Sequence, residues 1–320
     1  MKIKISRIGY YLPENIETSE ELAPKIGKSV DWIISRTGVK ERRVSNIDVD
    51  LMGAKASKLA LKNEVPDLIL NASGVGKQVI PDTSVFIQKE LGFKGIPSFT
   101  IHSTCLSFLV ALNTAANFIS QNTYKKILIV SSDRGARGRN FNEPESAALL
   151  GDAAAAVLVE RSLNDEESCM LDFAMNTYPE GSHLTEVRGG GTNLHPHDKE
   201  TSFSDNLFTM NGPMIYKMAR KTVYNQIQLD LENNNLNIND IDLVVPHQAS
   251  GLAVKAYSKY GGFSNDKVVN ILDKTGNCVA ASLPLALAIA YEENRIKRGD
   301  LIYFIGTGAG LSVASCLLRF

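Results

Sequence analysis

At 320 residues the chain carries 34 Lys+Arg against 35 Asp+Glu, a formal net charge of −1. That balance leaves no basic excess to hold nucleic acid. Hydrophobic content of 44% with 22% charged residues is the make-up of a globular protein with an ample core.

The first segment, "MKIKISRIGYYLPE", alternates like a strand and lacks the apolar run of a signal peptide; no later stretch is long and apolar enough to span a bilayer. "DLILNASGVG" (67–76) reads as a short buried strand running into a polar loop. "SFTIHSTCLSFLVALNTAANFI" (98–119) passes from small hydroxyl residues through Cys105 into a helix. Phe108, Leu109, Leu112, Ala115, Ala116 and Ile119 carry its i, i+3, i+4 apolar face. "KKILIVSSD" (125–133) and "GDAAAAVLVE" (151–160) are buried-strand patterns. Residues from roughly 161 to 215, rich in Gly, His, Asn and Thr, read as a covering or substrate-facing loop region. His195 and His197, in "GGGTNLHPHDKE", lack further ligand spacing and read as loop residues, so no metal is expected.

The strand and loop pattern then returns. "DLVVPHQASG" (242–251) echoes 67–76, and "GDLIYFIGTG" (299–308) echoes 125–133. Between them "KTGNCVAASLPLALAIAYEE" supplies a polar loop and a helix, as the Cys105 segment does in the first half. Each half closes on a glycine turn and an apolar strand. The pattern predicts an α/β protein of two duplicated halves, residues 1–165 and 166–320, each on a mainly buried sheet. Sites in such sheets lie beyond the carboxyl ends of the strands. The Cys105 helix start, the "PHQASG" loop and the "TGNCVAAS" loop are therefore expected to converge in one crevice.

Each candidate alone has a plain structural reading: Cys105 as a small core residue, His247 as a hydrogen-bonded strand end, Asn277 as a turn or cap. Together they suit thioester chemistry. A cysteine at a helix N-terminus meets unpaired N–H groups and the positive end of the dipole, which favour a thiolate. Backbone N–H groups stabilise the oxyanion of acyl transfer. An imidazole beside a carboxamide donates to a second carbonyl oxygen and holds an enolate. The glycines of "FIGTGAGLS" allow close backbone approach and aim N–H groups at an anion, but no lysine or helix follows, so a nucleotide loop is not indicated.

Across essentially its whole length the chain resembles the β-ketoacyl-acyl-carrier-protein synthase III family. The likeness rests on "VDWIISRTGVKERR" (30–43), "STCLSFLVAL", "FTMNGPMIYKMA" (208–219), "LVVPHQAS", "TGNCVAAS" and the ending "LLRF". The resemblance implies a thiolase-like fold in a five-layered αβαβα arrangement and a Cys105-His247-Asn277 decarboxylating condensation. Cys105 is acylated from an acyl-CoA or acyl-carrier protein; a malonyl thioester, on carrier protein or CoA, then loses carbon dioxide and attacks. It also implies a backbone oxyanion hole at Cys105 and Ala309. CoA contacts fall at Trp32, Arg36, Asn211 and Ser250, and an acyl pocket at Ile80 and Leu311. Acyl-CoA enters as a substrate, with no separate cofactor. A homodimer in which segment 80–90 reaches the partner's acyl pocket follows from the same likeness, as does a cytoplasmic location, which widely scattered cysteines without a C-x-x-C pair also suit.

Departures from the family pattern cluster around substrate handling. Where the family has Asn-Leu-Arg after the histidine motif, this chain has Ser250, Gly251 and Leu252, with Lys255 and Lys259 the nearest replacement cations. A second arginine that packs on CoA adenine aligns with Pro144, leaving Arg137 or Arg139 to compensate. Ile80 replaces a phenylalanine, and Gly308-Ala309-Gly310-Leu311 replaces Gly-Gly-Gly-Phe. These leave open a housekeeping fatty-acid initiator, a specialised lipid or polyketide synthase, an acyltransferase to an alcohol or amine, and a non-catalytic partner subunit. A degradative thiolase is disfavoured, since Cys316 sits in a strand pattern and not in Cys-x-Gly. A papain-like hydrolase lacks its cysteine context here.

Overall fold

Buried side chains alternate along the central strands. Leu68 and Leu70 pack into one core cluster while Ile69 between them packs into another; Ile127 and Ile129 part from Leu128 and Val130 in the same way. Such period-2 splitting means that the sheet is covered on both faces. The structure, a computed structural model, describes residues 1–320.

In chain order the first part comprises β1 (Ile3–Tyr11), β2 (Ile16–Thr18), α1 (Ser19–Ile26), α2 (Val30–Thr37), β3 (Glu41–Arg43) and α3 (Val49–Leu61). It continues with β4 (Leu68–Asn71), α4 (Thr83–Leu91), β5 (Ser98–Thr100), α5 (Ser107–Ser120), β6 (Lys126–Arg134), α6 (Pro144–Leu149) and β7 (Asp152–Arg161). After a connection follow β8 (Cys169–Thr177), β9 (Thr185–Glu186), β10 (Thr209–Met210), α7 (Gly212–Asn233), β11 (Leu243–Pro246) and α8 (Gly251–Lys259). The chain ends with α9 (Leu272–Thr275), α10 (Ser282–Glu292), β12 (Leu301–Gly308) and β13 (Ser312–Arg319).

One sheet has the order β1-β7-β6-β4-β5 and the other β8-β13-β12-β11. Their polarities correspond strand by strand. β7 is antiparallel to β1 and β6 as β13 is to β8 and β12, and β4 is parallel to β6 as β11 is to β12. The counterpart of β5 in the second sheet shrinks to a single parallel bridge between Val244 and Val268. Helices α5 and α10 lie between the sheets, because their apolar residues share a cluster with the inward residues of both. α3 and α4 cover the outer face of the first sheet, and α7 and α8 that of the second. This is the αβαβα sandwich that the resemblance implies.

One expectation needs correction. Residues 169–177 are not covering loop but strand β8, paired along β13. All but one of its side chains are half-buried or exposed, so the apolar signal that marks the central strands is absent. The covering role belongs to the loops on either side of β9 and β10 and to the start of α7.

Candidate active site

Cys105 stands immediately before α5, behind Thr104, whose φ of 50 places a non-glycine residue in the left-handed region. The turn is held by Ser107, whose Oγ accepts from the Ser103 N–H at 2.9 Å and donates to the Thr104 carbonyl at 2.7 Å. Leu106 supplies no side-chain cap to α5, which leaves the first N–H groups of the helix without one. The backbone N–H groups of Ala309 and of Cys105 itself lie close enough to the sulfur to favour its ionised form. The turn Ala309-Gly310-Leu311 between β12 and β13 brings the first of these into place.

His247 follows β11 directly, with its N–H donating to the Ile305 carbonyl at 2.9 Å. Gly306 on the adjacent strand is what makes room: a Cβ there would stand 2.7 Å from the His247 Cβ. Asn277 precedes α10 and is fixed on both sides. Its N–H donates to Leu149 O at 2.8 Å and its carbonyl accepts from the Gly151 N–H at 3.0 Å. Its side-chain Oδ1 accepts from the Val279 N–H at 2.9 Å, and Nδ2 donates to Ala249 O at 3.3 Å. One Nδ2 hydrogen therefore remains to face the cavity.

Cys105, His247 and Asn277 line one cavity of about 410 Å³, together with Ala309 and Leu311. Its sides are Phe208, Met210, Pro213, Ile215, Tyr216 and Ala219, and its mouth includes Arg36, Glu145 and Ser250. Three other expected site residues lie off this wall. Asn211 caps α7, accepting from the Met214 N–H at 3.2 Å. Trp32 packs half-buried on the α1–α2–α6 cluster. Ile80 is 81% exposed, in the loop that leads to α4. His195 and His197 stack on one another in an exposed loop.

The electrostatics of the floor overturn one expectation. Position at a helix start does not leave Cys105 as a ready thiolate. Burial above all, with the nearby Asp133 adding to it, pushes its pKa up to about 12, and the N–H groups of Ala309 and Cys105 only partly offset this. Burial drives His247 the other way, down to about 4, so its imidazole is neutral at ordinary pH. Its Nδ1 is buried without a partner.

Asp133 itself was not foreseen. Fully buried at the end of β6, its Oδ1 accepts from the Gly74 and Val75 N–H groups at 2.9 Å and its Oδ2 from Ala281 N–H at 3.1 Å. It ties the loop after β4 to the start of α10 and so joins the two halves behind Cys105. Burial raises its pKa to about 7 against the pull of these donors. The signal was a lone acid ending a buried run, "ILIVSSD".

A cysteine before a central helix, with a histidine and an asparagine from the other half facing it across a sandwich of this kind, defines a condensing acyltransferase of the thiolase fold. The family model described as 3-oxoacyl-[acyl-carrier-protein] synthase III matches residues 99–179, and its C-terminal model matches residues 231–320. The β-ketoacyl-[acyl-carrier-protein] synthase III of Clostridium acetobutylicum is 31% identical, with 99% of this chain and 98% of that protein covered. The crystal structure of 3-oxoacyl-[acyl-carrier-protein] synthase III from Aquifex aeolicus superposes with a TM-score of 0.90 at 30% identity, over 99% of this chain and 100% of that one. The priming β-ketosynthase of the R1128 polyketide pathway gives 0.89 at 26% identity, over 99% and 96%. The chain belongs to the β-ketoacyl-acyl-carrier-protein synthase III family.

Proposed function

We propose that Cys105 takes an acyl group from a CoA or carrier-protein thioester, and that His247 and Asn277 then drive decarboxylative condensation with a malonyl thioester. The observation that carries this reading is the convergence of all three side chains on one cavity, with Ala309 on the same wall.

The chemistry follows from the charge states. Cys105 rests as a thiol, so its proton leaves as the carbon–sulfur bond forms and passes to the departing pantetheine sulfur. The N–H groups of Cys105 and Ala309 receive the developing oxyanion. When the malonyl thioester enters, its carboxylate leaves as carbon dioxide and the bonding pair moves into the thioester carbonyl as an enolate. A neutral His247 and the free Nδ2 hydrogen of Asn277 donate to that oxygen. The enolate carbon attacks the Cys105 acyl carbonyl, and the cysteine sulfur leaves and regains a proton. The result is a β-ketoacyl thioester. Leu311, nearly fully buried at the turn beside Cys105, shapes the acyl end of the cavity.

The same reading makes the working unit a pair of chains in the cytoplasm. β5 ends the first sheet with an unpaired edge, and Val79, Ile80 and Phe99 expose apolar surface around it. All four cysteines are unpaired, and no helix is long and apolar enough to cross a membrane.

Intact-protein mass spectrometry after incubation with acyl thioesters of several chain lengths tests the nucleophile. An acyl adduct on the wild type that is absent from Cys105→Ser is the expected result. An adduct that survives this substitution sinks the assignment.

A further inference from the structure

Val279, just beyond Asn277 in the chain, has a φ of 52. A β-branched residue stays in the left-handed region only when its surroundings hold it there. Its side chain is gripped between two glycines. A Cβ at Gly74 would stand 2.4 Å from Val279 Cγ1, and one at Gly135 would stand 3.2 Å from Cγ2. Its backbone is held through two acceptors. The Val279 N–H donates to Asn277 Oδ1 at 2.9 Å, and the Ala281 N–H donates to Asp133 Oδ2 at 3.1 Å. The Ala280 N–H also lies close enough to favour the ionised Asp133. Successive N–H groups turned toward an anion form a nest, and here a buried carboxylate from the first half of the chain fills it.

These contacts run in one line. Asp133 fixes the N–H groups of Ala280 and Ala281, which keeps Val279 in its left-handed turn. That turn points the Val279 N–H back at Asn277 Oδ1. With Oδ1 anchored and one Nδ2 hydrogen on Ala249 O, the direction of the other hydrogen is set. Resting on the reading of Asn277 as an enolate donor, we infer that Asp133 is a positioning residue for Asn277. It holds the strained turn at Val279 that aims the carboxamide into the cavity. The cysteine side depends on Asp133 less, because the loop after β4 has ties of its own. Ser73 Oγ donates to Asn71 Oδ1 at 2.7 Å and accepts from the Ser132 N–H at 2.9 Å. Loss of the carboxylate therefore reaches Asn277 before it reaches the Thr104–Cys105 turn.

The test is the ratio of condensation, followed as carbon dioxide release from a malonyl thioester, to acyl loading of Cys105, followed by intact mass. A merely structural role lowers both with the folded fraction and leaves the ratio alone. In Asp133→Ser, which removes the carboxylate without turning a donor fixed in place toward the N–H groups, the ratio should fall about 10²-fold, the cost of a misplaced catalytic group. The isosteric Asp133→Asn is the second variant and should move the ratio in the same direction. Strain gives the sharper readout. Glycine takes positive φ without cost, so in the Val279→Gly background the turn no longer needs its clamp, and Asp133→Ser should lower the ratio by less than about tenfold. A ratio that neither Asp133 variant moves overturns the inference, as does a loss of the same size in the Val279 and Val279→Gly backgrounds. Asn277→Ala separates this from the reading beneath it. If Asn277→Ala leaves condensation intact, the enolate-donor role falls and this inference with it; if it stops condensation while both Asp133 variants keep the wild-type ratio, the inference alone falls.

Discussion

The floor of the cavity and its mouth are built on opposite plans. At the floor His247 and Asn277 are 3% and 8% exposed, their backbones pinned to Ile305 and to Leu149 and Gly151 respectively, with Asp133 buried behind the cysteine turn. At the mouth the Arg36–Glu145 pair is half-open to solvent, and α7 buries nothing before Gln226. Rigid, dry surroundings suit groups that must meet a transition state, where hydrogen bonds gain strength and misplacement is costly. A loosely packed rim suits a substrate arm that must thread in and leave. The Cys105, His247 and Asn277 motifs sit on the floor, whereas the departures at Ser250 and Leu252 sit at the rim and Ile80 lies off the cavity wall.

The largest effects should come from the floor. His247→Ala removes one of two donors to the enolate while leaving Cys105 and the Ala309 N–H in place. Condensation, followed as carbon dioxide release from a malonyl thioester, is expected to fall by about 10²- to 10³-fold, the cost of losing one preorganised oxyanion donor. Acyl loading of Cys105 should persist within a few fold. Equal loss of both steps would mean that His247 acts on the thiol and would break the division of labour drawn here.

A second effect tests the burial of that histidine by pH. With a folded pKa of about 4 against an unfolded value near 6.5, the folded state takes up its proton later than the unfolded chain. Its stabilising contribution is therefore complete above about pH 6.5 and is lost as pH falls toward 4. The expected difference is about 3 kcal/mol. Asp133 works the other way, since its raised pKa favours the folded state as pH drops from 7. The comparison must therefore be between variants. Urea unfolding of wild type and His247→Gln at pH 7 and pH 4.5 isolates the histidine, with the wild type losing more stability on acidification by the order of that amount. Parallel pH curves for the two proteins would contradict a dry floor.

How much of this was legible beforehand follows the same division. Strands such as Ile127–Val130 and Ile302–Ile305 were readable because burial on two faces forces a continuous apolar run. The echo between the halves then placed His247 and Asn277 at equivalent loops. β8 was missed because it lies at a sheet edge, where half-burial weakens the pattern. The protonation state of Cys105 was misjudged because helix position is local while desolvation depends on everything packed around the sulfur. The Arg36–Glu145 pair joins residues far apart in the chain, and only the fold brings them together.

The smallest effect probes what holds the floor in shape. Gly306 lies in β12 opposite β13 residue Ala314, and its missing side chain is the space that His247 and Leu106 occupy. In Gly306→Ala the new Cβ would lie 2.7 Å from the His247 Cβ and 3.3 Å from Leu106 Cδ2. Neither neighbour is a free chain end, since His247 is pinned through its N–H to Ile305 and Leu106 leads into α5. Overpacking of this kind costs about 1–3 kcal/mol. The shift needed to relieve it moves the imidazole, so condensation should fall tenfold or more while acyl loading changes less. A matched Gly27→Ala control, at a helix end with nothing near the added methyl, carries only the strain of its left-handed φ of 63. It should lower stability by about 1 kcal/mol and leave the condensation rate of the folded enzyme alone. If Gly306→Ala proves as silent in condensation as that control, the floor is softer than its hydrogen bonds imply, and the contrast with the mouth loses its physical basis.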